Sequence, residues 1–395
     1  MHGTEIALAA VALCLCVGAA QAASPNVRRR GSLANSRIQF ERAQTGHVAF
    51  IGGSITEMNG YRPLVCKSLE RRFPHTKFTF TDAGISSTCS TTGAFRLADH
   101  VLARGPVDLF FVEFAVNDDQ DAHHTRTECI RAMEGIVRHT RRHNPRADIV
   151  FTYFVNPGML KTLQAGGVPL PIAAHEAVAA HYAIPTIHLA QEVADRIAAG
   201  TLTWKQFGGT HPAPHGNALC ASLIDELLTA AWQAPLPPDA GPTPHPTPPK
   251  PLDPLHYGRG RLIDPATAKA GAGWTLGVPS WKTLKGACRR RFARVPLLCG
   301  ERPGAELRLA FTGTAVGAYV LAGPDAGTVE ARIDGGEPVI VDLTHRFSAR
   351  LHYPRTVIFA ADLAPGPHTL VLRIADRAHP RSTGHAVRIL HFVAN

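Results

Sequence analysis

The stretch Ala49-Phe50-Ile51-Gly52-Gly53-Ser54-Ile55-Thr56-Glu57 reads AFIGGSITE. An apolar run ends in two glycines, and a hydroxyl follows at once. The segment His47–Ile51 has the composition of a buried strand, and glycines permit a sharp turn with no Cβ to clash. Ser54 is therefore expected at the mouth of a sheet, beside the N-terminus of the next helix. Helix N–H groups favour nearby negative charge, which suits a nucleophile. The same place also suits a serine N-cap or a phosphate cradle, so the triplet alone does not choose.

Outward from this turn, strand-like and helix-like segments alternate. Further strands are expected at Lys77–Thr81, Val107–Phe114, Ile149–Phe154 and Pro185–His188. Several are apolar on both faces, as in a parallel sheet covered on both sides. Helices are expected at Tyr61–Phe73, Ala94–Arg104, Thr125–His143, Ala173–Tyr182, Leu189–Ala199 and His215–Trp232. The alternation predicts a doubly wound α/β domain over residues 40–233, with its site at the C-terminal ends of the strands.

Residues 235–254 then read PLPPDAGPTPHPTPPKPLDP, half of them proline. This linker lacks N–H donors and favours an extended polyproline II path, either spanning up to roughly 60 Å or lying on a domain as a strap. Beyond it, short β-like runs are separated by turn chemistry such as Asp334-Gly335-Gly336 and Pro365-Gly366-Pro367. They predict an all-β sandwich, jelly-roll-like, over residues 256–395.

The bulk numbers bound the class. The chain has 395 residues, 45% hydrophobic and 18% charged, which excludes a disordered chain and a wholly membrane-embedded one. Ile6 to Ala20 is apolar, and Ala20-Gln21-Ala22 fits a small-x-small cleavage pattern, so residues 1–22 are expected to be a signal peptide and the protein secreted or periplasmic. Met1–Glu5 carries no Lys or Arg, which leaves an uncleaved anchor as the alternative. Export permits disulfides among Cys66, Cys89, Cys129, Cys220, Cys288 and Cys299, with Cys288–Cys299 the local pair to favour. No CxxC spacing occurs among them, so no metal is indicated. The formal charge of +10 would suggest nucleic acid in a cytosolic protein. In an exported one it points instead to acidic polysaccharide or an anionic envelope surface, and no nucleic acid. The runs Arg28-Arg29-Arg30, Arg141-Arg142 and Arg289-Arg290-Arg291 are read as solvated faces.

Three more stretches share the position of Ser54 at strand ends or helix starts. They are Thr81-Asp82-Ala83-Gly84-Ile85-Ser86-Ser87-Thr88, Val112-Glu113-Phe114-Ala115-Val116-Asn117-Asp118 and Gly208-Gly209-Thr210-His211-Pro212-Ala213-Pro214-His215-Gly216. Together they offer a nucleophile, oxyanion donors and a general base. In this order the motifs resemble the SGNH hydrolases, the GDSL-like esterase and acylhydrolase superfamily, over about residues 46–232. The phrases FIGGSIT, DAGISST and EFAVND are similar to those of an exported bacterial subgroup. The resemblance implies a flavodoxin-like parallel sheet, catalysis by Ser54 and His211, and an oxyanion site made by the Ser54 and Gly84 N–H groups and the Asn117 amide. It implies no cofactor.

Three positions depart from the family pattern. Gly53 stands where the signature has an acid, Ala115 where the third block begins with glycine, and Gly208 where the triad aspartate is expected three residues before His211. That aspartate normally orients the imidazole and stabilises its charged form. A backbone carbonyl, a distant carboxylate, or a non-catalytic relative would each account for its absence.

Other polar residues take structural readings. Asp118 and Asp119 cap a turn or helix; Glu113 is paired by Arg62 or Arg96; His123 and His124 are solvated; Ser86 and Ser87 bond the local turn; His215 competes with His211 as the base. Trp274, Trp281, Tyr319 and Tyr353 form either a sugar-stacking platform or sandwich core. By analogy of architecture, the substrate is an O-acetyl or short acyl ester on an extracellular poly- or oligosaccharide. The alternatives are an O-acyltransferase and a non-catalytic glycan-binding protein.

Overall fold

The computed structural model describes residues 24–395; the expected signal peptide lies outside the described residues. The first part is built on a six-stranded sheet of β1 (Val27–Arg28), β2 (Thr45–Gly52), β3 (Lys77–Gly84), β4 (Leu109–Glu113), β5 (Asp148–Thr152) and β6 (Thr186–Ile187). Their spatial order is β1-β6-β5-β4-β2-β3. β2 to β6 run parallel, and the short β1 joins β6 antiparallel at the edge. The chain leaves β2 for β3 on one side and then returns past it to β4. That reversal opens a crevice at the C-terminal ends of β2 and β4, where doubly wound folds place ligands. Register brings the strand ends level, with Gly52 opposite both Gly84 and Glu113.

Helices cover the sheet in packed groups. Tyr61–Arg72 packs on Pro214–Trp232, while Arg126–His143 packs on both Ser90–His100 and Leu170–His181. β4 and β5 are buried along their whole length, which is why they read as continuous apolar runs. Two helix starts show different origins. Thr125 and Glu128 close a local capping box. The helix Ser90–His100 starts four residues before the expected Ala94, because Asp118 from another element accepts from the Ser90 N–H at 2.8 Å and its hydroxyl at 2.7 Å.

The proline-rich segment is a strap. Asn35 exchanges two 2.8 Å hydrogen bonds with the Thr243 backbone. His245 donates to buried Asp148 at 2.7 Å, and Glu134 accepts from the N–H groups of Leu252 and Asp253. Proline carbonyls, free in a polyproline path, accept from Arg138 and Arg141. Thus Arg141 is buried and not a solvated face, whereas Arg142 stays exposed while donating to the Gly258 carbonyl. Arg28 and Arg29 remain exposed as expected, and both Arg28 and the half-buried Arg30 pair with Glu176.

The C-terminal part is two antiparallel sheets. One contains Tyr353–Ala360, Val316–Ala322, Val387–Ala394, Leu297–Gly300 and Trp274–Gly277 in that order, with Arg261–Ile263 beside Val387–Ala394. The other runs Val339–Asp342, Thr328–Ile333, Gly366–Ile374, Glu306–Gly313 and Lys269–Ala270. Glu306–Gly313 alternates, with Leu307, Leu309 and Phe311 inward. Val316–Ala322 is buried throughout. Its Val316, Ala318, Val320 and Ala322 fill the sandwich, while Tyr319 and Leu321 join the core of the α/β part. Among the described residues no helix is long and apolar enough to cross a membrane.

Candidate active site

Ser54 opens a single helical turn, Ser54–Glu57, immediately after β2. As the first residue of a helix, its N–H has no intrahelical acceptor. Gly53 precedes it at φ −87°, a value open to any residue. The need for glycine comes from close approach, since a Cβ there would lie 2.1 Å from Asn117 Oδ1. An acid at position 53, as in the usual signature, would therefore displace Asn117.

His211 comes from the loop before the last helix, and its Nε2 lies 2.7 Å from Ser54 Oγ. The pair is 157 residues apart in sequence. His215, the competing base, does not make this contact. The His211 loop is fastened by Asn217, whose amide donates to the carbonyls of Pro212 at 2.6 Å and Ala213 at 3.1 Å. Nothing in the sequence singled out Asn217, because its role depends on the loop folding back over the helix start.

The imidazole carries no carboxylate partner among the described residues. Gly208, at the triad-acid position, has φ +105°, and a Cβ there would stand 1.9 Å from the Ala213 nitrogen. The backbone itself excludes an aspartate at that point.

Asn117 lies on the short helix Ala115–Gln120 that follows β4. It is buried and adjoins Gly53, so it reaches the Ser54 turn. Gly84 is different from expectation. Its N–H donates to Asp82 Oδ1 at 2.9 Å and is not free. Asp82-Ala83-Gly84 is an Asx-type pattern, in which the side chain bonds the N–H two residues on, and the sequence carried that signal.

Beneath the turn, the expected arginine pairing of Glu113 is absent. Arg62 instead pairs with Asp82 at 2.7 Å. Arg96, fully buried, donates to the carbonyls of Ala83 at 2.6 Å and Gly52 at 3.1 Å, tying the ends of β3 and β2 together. Glu113 accepts from the Thr56 hydroxyl at 3.2 Å, and its Oε1 has no partner. Burial pushes its carboxyl up to about 7.

Residues 50–219 match the model of the GDSL-like lipase/acylhydrolase family. This segment is a GDSL-like lipase/acylhydrolase domain. A two-domain esterase (CEX) active on acetylated mannans has the same architecture, at 19% identity. The alignment covers 93% of this chain and 96% of that one with TM-score 0.73. The same esterase co-crystallised with mannopentaose gives 0.72 at equal identity and coverage. At this identity the likeness speaks to fold. A search of the curated proteins found no match.

The GDSL-like domain shares its rim with the β-rich part. Arg289 donates to the Ser86 carbonyl at 3.0 Å and to Ser87 Oγ at 2.7 Å. Arg291 pairs with Glu57 at 3.0 Å, and Glu57 in turn accepts from the Ser86 N–H at 2.8 Å. The third basic run is thus a clasp on the Ser54 turn. Trp274, Tyr319 and Tyr353 are buried and Trp281 packs on His352, so these aromatics form no exposed sugar platform.

All six cysteines among the described residues are free, which corrects the disulfide expectation. The loop between Cys288 and Cys299 runs out to Ser86 and Glu57, so nearness in sequence does not bring the two sulfurs together. Cys89 and His124, and Cys129 and His175, flank Asp118 in metal-like groupings. The His124 side chain is packed inside, contrary to expectation, with Nδ1 3.4 Å from Asp118 Oδ1. His175 bonds Asp118 at 2.8 Å, so with the two Ser90 bonds the carboxylate is saturated by protein donors.

Proposed function

We propose that the protein is a serine esterase working through a Ser54–His211 dyad, and that its substrate is an O-acetylated poly- or oligosaccharide outside the cytoplasm. The observation that carries the reading is the 2.7 Å contact between Ser54 Oγ and His211 Nε2 at the C-terminal rim of the sheet. Nε2 accepts the serine proton as Oγ attacks the acyl carbon. The carbonyl oxygen becomes an oxyanion facing the Ser54 N–H and the free N–H of the Asn117 amide. His211 then returns the proton to the departing sugar alkoxide, leaving an acetyl-enzyme. Water, deprotonated by the same imidazole, releases acetate and restores Ser54. One oxyanion donor is typically worth about 3–4 kcal/mol of transition-state stabilisation.

The glycan part is supported by the family domain and by the architecture shared with an esterase active on acetylated mannans. The exported location is supported by the N-terminal apolar run and its small-residue boundary.

Acetate release from p-nitrophenyl acetate and from acetylated mannan tests the proposal. Ser54→Ala and His211→Ala should each abolish turnover while preserving thermal stability. Undiminished release by Ser54→Ala would overturn it. Product analysis with added sugar acceptors separates hydrolysis from acyl transfer.

A further inference from the structure

The helix that presents Asn117 has only six residues. A single short turn of helix is marginal by itself, so its orientation must come from what it touches. Asp118 fastens its first turn to Ser90 and His175, and Asp121, just past its C-terminal end, meets Asn117 itself.

Asp121 Oδ2 accepts from Asn117 Nδ2 at 2.6 Å, and the Asp121 N–H donates to the Asn117 carbonyl at 3.0 Å. A carboxylate offers only acceptors, so this bond decides which end of the Asn117 amide carries nitrogen. Asn117 Oδ1 is buried and has no hydrogen-bond partner. Nothing else therefore opposes a flip that would put oxygen where a donor is needed.

Asp121 is in turn gripped by the β-rich domain. His345 Nε2–H donates to the Asp121 carbonyl at 2.8 Å, and Arg346 donates to the neighbouring Gln120 carbonyl. The His345 ring stacks on Tyr353 with centroids 3.9 Å apart and planes within 13°. The Tyr353 hydroxyl is buried and has no hydrogen-bond partner. Tyr353 and Asp121 are walls of a cavity of about 230 Å³ between the two parts of the molecule.

We propose that Asp121 is a positioning residue that fixes the Asn117 amide as an oxyanion donor, and that His345 of the β-rich domain, stacked on Tyr353, holds Asp121 in place. This rests on the esterase reading above. The second domain is then part of the hydrolytic apparatus without touching the ester.

The test is steady-state hydrolysis of p-nitrophenyl acetate by the full chain, with thermal unfolding of every variant. Asp121→Ala should lower kcat about 10–100-fold, below the 10²–10³ ceiling for losing a donor outright, with KM within about twofold. Asp121→Asn keeps an acceptor oxygen and should recover much of that loss. His345→Ala should lower kcat in the same sense, and it serves as the readout if Asp121→Ala does not fold. On an Asn117→Ala background, neither substitution should lower kcat further, because each acts through the amide already removed. Equal losses with and without Asn117, or unchanged kcat in both single variants, would overturn the proposal. Failure of the esterase reading looks different, since Ser54→Ala would then retain the wild-type rate.

Discussion

Ser54, His211 and Asn117 were legible one residue at a time because each follows a recognisable local break in pattern. What surrounds them was not. Glu113 shows why, since a carboxyl in an apolar strand announces a buried group without naming its partner. Its pKa is raised by burial from the ordinary 4.5 to about 7. Between those values the unfolded chain has released the proton and the folded protein still holds it. Stability should therefore be fully present below about pH 4.5 and fall as pH rises through 7, by on the order of 3 kcal/mol. Glu113→Gln removes that slope. Denaturant unfolding of both proteins at pH 5 and pH 8 checks it, and an equal difference at the two values would show that Glu113 does not titrate this way.

At the scale of elements, the sheet and most helices follow from periodicity, while starts and straps follow from partners. The capping box at Thr125 is written in four consecutive residues. The start at Ser90 depends on Asp118, 28 residues away. The proline-rich segment likewise permits a spacer or a strap, and the choice falls to side chains such as Asn35, 208 residues distant from Thr243. Asn35→Ala should destabilise by about 2 kcal/mol, because three partly buried backbone groups lose their partner. Thermal unfolding reads this. Increased proteolysis within 235–254 should accompany it, and unchanged stability and cleavage would argue that the strap is held elsewhere.

For the whole molecule, the decisive feature is that one strand serves two cores. Tyr319 and Leu321 face the α/β part while Val320 and Ala322 face the sandwich. The two parts should therefore unfold in one calorimetric transition, with calorimetric and van't Hoff enthalpies equal. Two resolved transitions would mean that the shared strand does not couple them.

By itself the sequence determined the alternation of elements, the change of architecture after the prolines, and the serine and histidine that meet at the rim, because these depend on local pattern. Only the tertiary structure decided that Gly208 leaves no room for a triad acid, that the cysteines stay apart, that Gly84 is engaged by Asp82, and that arginines and a histidine from the second domain grip the first. Those outcomes depend on distances between segments far apart in the chain, and a linear order of residues does not contain such distances.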